Sequence, residues 1–276
     1  MAIAALNQPV NVKKQKKFTS WTRPTFSPEH GVLLVLFGSF LTGASLAQQW
    51  NSSTNVALVC AFFTLQVEHP FIVQLKQRKS WKPRYLIWGG IYGAIAIISA
   101  IFLWLQSPNL LWIYLLAILG FIHDGLAVIY KSHKSIPNEI VNFMTICLAA
   151  PLAFCATTGH LSIKAMALWI LNTLFFSSAI YTIKLRKKRT SSLKPGIIYH
   201  GLATSIVVGL YTSNCLSLIT ASCFAVAIIK FGSILSLQEW YRKVKFQFIV
   251  IFETRFALIY IAFASLSLLP AHLPPR

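Results

Sequence analysis

The stretch LLWIYLLAILGFIHDGLAVIY, residues 110–130, decides the fold. Its first thirteen residues carry no charged group, and at 1.5 Å rise per residue the whole run is roughly 30 Å long, the thickness of a bilayer's hydrocarbon core. His123 and Asp124 follow close to one end, with Lys131 and Lys134 just beyond it. The pattern reads as a membrane-crossing helix with a polar feature a short way below one membrane surface.

Eight more stretches approach the same length, so the spans are expected at 31–48, 55–75, 85–105, 110–130, 140–158, 165–183, 196–213, 216–236 and 248–269. The seventh is short and flanked by Gly196 and the turn-prone Thr212, Ser213 and Asn214. With 56% hydrophobic and 11% charged residues and a mean hydropathy of +0.64, the chain is excluded from water-soluble surface chemistry. The expectation is an all-α polytopic bundle: a basic N-terminal segment at 1–30, one transmembrane domain at 31–269 and a short tail at 270–276. No apolar run in the first 26 residues is long enough for a signal peptide. The loops are too short for a soluble catalytic domain, so function must sit in the bundle or at its rim.

A net charge of +19 would suggest nucleic acid on a soluble surface, but here orientation explains it. Lys13, Lys14, Lys16, Lys17 and Arg23 precede the first span, and Lys76, Arg78, Lys79, Lys82 and Arg84 follow the second. Lys131 and Lys134 follow the fourth, Lys184 to Lys194 the sixth, and Arg242, Lys243 and Lys245 the eighth. The intervening loops hold almost none, apart from Lys164 and the terminal Arg276. Nine spans with a cytoplasmic N-terminus and an external C-terminus satisfy this alternation. The same basic runs, Lys184, Arg186 and Lys187 above all, also form a candidate anion site for lipid heads or a diphosphate.

Ionisable groups inside a bilayer are costly and mark a site by default. Glu68, Asp124, Lys230, Glu253 and Arg255 all fall roughly 8 to 11 Å inside the cytoplasmic boundary. His69 and His123 belong to the same layer. Glu29, His30, Glu139, His200 and Glu239 lie at the cytoplasmic mouth, so all six acids are on one side. Two readings stand together: interhelical pairing, such as Glu68 or Asp124 with Lys230 or Arg255, and a polar cavity open to the cytoplasm. Glu253 and Arg255, two positions apart on a helix, project to opposite sides. Neighbouring His123 and Asp124 could act as acid and base. The five cysteines, without C-x-x-C or metal spacing, read as small membrane residues. Asn51-Ser52-Ser53 matches a glycosylation sequon in a tight loop, and a belt of tryptophans near the span ends needs no cofactor.

Pro28-Glu29-His30-Gly31, His123-Asp124-Gly125-Leu126-Ala127, and Asn138-Glu139 followed by Ala150-Pro151-Leu152-Ala153 resemble the YwiC-like family of bacterial membrane proteins. Through that family the chain is remotely similar to the UbiA superfamily of intramembrane prenyltransferases. The resemblance implies nine helices, a cytoplasmic N-terminus, a cavity opening to the cytoplasm and a bacterial plasma or thylakoid-type membrane. UbiA enzymes hold Mg²⁺ on aspartate-rich motifs at the ends of helices two and six. Here the first position reads Gln66-Val67-Glu68-His69-Pro70, and the second, 181–189, has no acid. One aspartate in the whole chain does not furnish two magnesium clusters, so no cofactor is expected. The functional expectation is a protein that binds an isoprenoid, a quinone-like molecule or another lipophile among membrane lipids, with degenerate transferase features. A transporter of small anionic solutes and an assembly factor for a membrane complex are the alternatives.

Overall fold

A computed structural model of the chain describes residues 24–26, 30–77, 80, 82–186 and 192–269. They form twelve helices: α1 His30–Ala47, α2 Ser52–Lys76, α3 Pro83–Gln106, α4 Leu110–Ile129, α5 Ile136–Cys147, α6 Ala149–Thr158, α7 Ile163–Lys184, α8 Lys194–Thr212, α9 Leu218–Ser222, α10 Ala225–Ser236, α11 Gln238–Lys243 and α12 Phe246–Ser267. No strand occurs among the described residues. In lipid this follows from hydrogen bonding, since only a helix satisfies a spanning backbone within its own segment.

Among the described residues seven helical runs are long and apolar enough to cross a membrane: α2, α3, α4, α5 joined to α6, α7, α9 joined to α10, and α12. The first expected span is a shorter apolar helix, Gly31–Ala47, and the seventh is α8, which carries Lys194 and His200. Each of the nine expected stretches is helical. The fifth and eighth are interrupted, at Leu148 and at Cys223–Phe224. Pro151 follows the first break within one turn, where its missing N–H is tolerated.

The two ends of the bundle are identified by contacts. At one end the side chain of Asn51 caps α2 by accepting from the Thr54 backbone N–H and donates to the Thr157 carbonyl. Ser107 donates to the Gly159 carbonyl, and Gln48 reaches the Leu268 carbonyl. Asn51, noted as a sequon residue, is thus a helix cap. At the other end Lys184 reaches Glu139 and the Lys134 carbonyl, while Arg186 donates to the Val244 carbonyl. Among the described residues this second end gathers the loop lysines and arginines, and Lys164 stands at the first. Chain direction therefore alternates along the charge pattern.

Two apolar cores share α1. Leu36, Phe40 and Ala44 pack with Leu65, Leu110, Ile113 and Leu152 on the side of α2, α4 and α6. Val35 packs with Leu168, Phe175, Val207, Phe224 and Tyr260 on the side of α7 to α12. The α1–α6 seam is tight, because a Cβ on Gly43 would collide with the Ala150 carbonyl. Small residues permit such approach where lipid supplies no hydrophobic drive between helices. By contrast α3 packs closely along α2 and barely meets α4. That gap positions the site.

Candidate functional site

Between α2, α3, α4 and α5–α6 lies a cavity of about 690 Å³. Cys60, Ala61 and Leu65 from α2, Ala96 and Ala100 from α3, and Ile113 and Ala117 from α4 give it apolar walls. Trp104 and Leu111 stand at its far end, and Glu68, Asp124, Asn142 and Thr145 at the end nearer the basic loops. From Leu111 to Asp124 along α4 is about 20 Å at helical rise, so the cavity is long and narrow. Ile97, Ile101 and Ile118 on its lips are exposed, so it opens sideways between α3 and α4. Small Gly93 and Gly120 keep it wide at the polar end, and Gly120 also admits Thr145 against the α4 backbone.

The polar end is built on Asp124, which is 6% exposed. Asn138 and Asn142, one turn apart on α5, each donate a side-chain N–H to Oδ1 at 2.9 Å. The Asn138 amide also reaches the His133 carbonyl, tying the α4–α5 turn to the site. Asn138 lies in the first turn of α5, whose dipole adds positive potential. Asp124 therefore has neutral donors and a helix end, and no ion pair reaches it among the described residues. Its Oδ2 accepts no hydrogen bond there, and the residue lines the cavity.

A second polar centre lies across α1, among α7, α10 and α12. Lys230, 2% exposed, pairs with Glu253 Oε2 at 2.8 Å and donates to Ser178 Oγ at 2.9 Å. Thr182 donates to Glu253 Oε1 at 2.7 Å, and the Phe175 ring lies 5.4 Å from the ammonium. Phe175 stacks on Tyr260, whose hydroxyl donates to Asn172 Oδ1, and the Asn172 amide donates to Thr42 of α1. Each charge here has a matched partner. In α11, burial first and the Glu253 carboxylate next hold the Tyr241 phenol well above its ordinary range, so it stays protonated.

The expected single layer is thus two centres. Glu68 and Asp124 share the cavity; Lys230 and Glu253 pair with each other instead of with them. Arg255 is exposed, on the side of α12 away from Glu253. His69 follows Glu68 without lining the cavity, and His123 lines a separate shallow groove with Leu119, Ile122 and Tyr130. Of the mouth residues, Glu139 pairs with Lys184 at 2.8 Å, and Glu239 pairs with Lys243 on the surface. His200 is buried, donating from Nδ1 to the Gly196 carbonyl and stacking on Phe231. Glu29 and Lys187 lie outside the described residues, as does the His30 side chain. Of the candidate anion-binding residues, Lys184 lies against Glu139 and Arg186 against the Val244 carbonyl and the Phe246 ring.

Sequence reading gave Asn138 no role beyond the family resemblance and missed Asn142, Ser178 and Thr182. Each pair repeats at i, i+4, a spacing that puts both side chains on one helix face, and that was the available signal.

Residues 26–154 match the family model described as YwiC-like protein. No curated protein and no solved structure matches the chain. Every residue lining the cavity falls within the matched segment, whereas Ser178, Thr182, Lys230 and Glu253 fall outside it.

Proposed function

We propose that this chain, a YwiC-like membrane protein by its residues 26–154, holds a long lipophilic molecule, an isoprenoid or another chain-like lipid, in the cavity between α3 and α4. The observation that carries the reading is an apolar volume of about 690 Å³ ending at Glu68, Asp124 and Asn142. Small ligands favour apolar concavities with a few convergent polar groups. Because the lips are apolar and open sideways, the ligand enters from the lipid and not from water.

Segregation of the basic residues to one end supports nine crossings of a bacterial inner membrane, with the N-terminus in the cytoplasm and the C-terminus outside. The polar end of the cavity then lies on the cytoplasmic side. Labelling Lys187→Cys and Ser52→Cys from outside, in a background without native cysteines, checks this: position 52 reacts and position 187 does not. Magnesium-dependent prenyl transfer is not part of the proposal, since the acids lining the cavity are Glu68 on α2 and Asp124 on α4, and the end of α7 carries Lys184 and Arg186. The test of binding is mass spectrometry of lipids and quinones retained by the purified protein. A stoichiometric lipophile supports the reading, and bulk phospholipid alone overturns it.

A further inference from the structure

We infer that the head group this cavity selects is a cation, and that Asp124 is its counter-ion. The inference rests on the cavity reading above and adds the charge of the ligand. A carboxylate 6% exposed to solvent normally has a basic partner, because an unpaired buried charge is strongly disfavoured. Asp124 has no such partner among the described residues, although the chain carries 25 lysines and arginines. Asn138 and Asn142 fix Oδ1 at 2.9 Å each, leaving Oδ2 for whatever occupies the cavity.

The surroundings agree in sign. Glu68 lines the same end, and Asn142 and Thr145 are neutral. No lysine or arginine is among the lining residues, and Lys184 and Arg186 are engaged elsewhere, by Glu139 and by the Val244 carbonyl. An anionic head such as a diphosphate or carboxylate would meet the Asp124 carboxylate across a medium of low dielectric, where repulsion is strong. A quaternary or primary ammonium would complete the pair that Asp124 lacks. At about 20 Å along α4 the cavity exceeds one leaflet's depth of about 15 Å, so it accepts one long chain behind that head. The ligand class is therefore a long-chain lipophilic ammonium.

The experiment is native mass spectrometry of the full chain in a neutral detergent, titrated with hexadecyltrimethylammonium, hexadecanol and hexadecanoate. The wild type takes up one hexadecyltrimethylammonium with a Kd about tenfold or more below that of hexadecanol, and hexadecanoate is weakest. Asp124→Asn abolishes the preference while keeping hexadecanol binding, and Asp124→Glu restores part of it. Equal or tighter binding of the alcohol or the carboxylate by the wild type overturns the head-group assignment while leaving the cavity reading intact. Failure of all three probes overturns both. The wild-type series decides the matter even if a variant does not fold.

Discussion

Lys230 and Asp124 are both buried ionisable groups on apolar helices, yet their surroundings are opposite. Lys230 has Glu253, Ser178 and the face of Phe175, and Glu253 in turn has Thr182. Asp124 has two amides on one oxygen, no hydrogen bond on the other among the described residues, and a place in the cavity lining. A closed ion pair ties α10 to α12, with Ser178 and Thr182 of α7 bonded to it; the Asp124 carboxylate lines the cavity without an ion pair among the described residues. Burial alone does not separate structure from function. Whether the charge is answered within the chain does.

The largest effect should come from breaking the closed centre. Lys230→Met or Glu253→Gln leaves one charge buried without its partner, which costs about 3 to 5 kcal/mol. The joint replacement Lys230→Met with Glu253→Met should recover most of that loss. Thermal unfolding in detergent reads both; a double variant no more stable than the singles would mean that the pair is not an isolated structural unit.

The seam between the two halves comes next. Gly43→Leu forces a side chain against the Ala150 carbonyl, which as backbone cannot rotate away, and should cost about 1 to 3 kcal/mol on the same unfolding assay.

At the open centre, stability and binding should part company. Asp124→Asn weakens two charge-assisted hydrogen bonds but relieves a buried charge, so its stability change should be about 1 kcal/mol or less. Retention of a cationic lipophile should nevertheless be lost. A stability loss as large as that of Lys230→Met would place Asp124 among the structural charges.

The smallest change in stability is expected from Gly93→Leu. A Cβ there meets only Val67 at 3.8 Å, so the added side chain grows into free cavity space and should shift stability by no more than about 0.5 kcal/mol. It should displace the bound chain all the same. Unchanged retention in this variant would move the ligand elsewhere.

The helices were legible because lipid enforces a simple code. A backbone in hydrocarbon must be helical, and loop lysines mark alternate ends, so Leu110–Ile129 and its neighbours could be read from composition alone. That Glu68, Asp124, Lys230 and Glu253 fall on apolar helices was legible for the same reason. Their partnering was not. Which face of α12 meets α10 depends on helix rotation, and this put Glu253 against Lys230 while leaving Arg255 exposed. The cavity was equally hidden, because it arises from the loose meeting of α3 and α4, and an apolar residue facing a void has the same sequence signature as one facing lipid. Asn138 and Asn142 were within reach, since two amides one turn apart soon after a lone aspartate are a recognisable cradle.

The most direct test is a high-resolution experimental structure of the full chain in a lipid nanodisc. Elongated density lying between α3 and α4, with its head against Asp124 Oδ2 while Lys230 remains on Glu253, is the predicted result. Closure of α3 onto α4 with an empty interior, or a lysine or arginine of the chain paired to Asp124, would contradict the account.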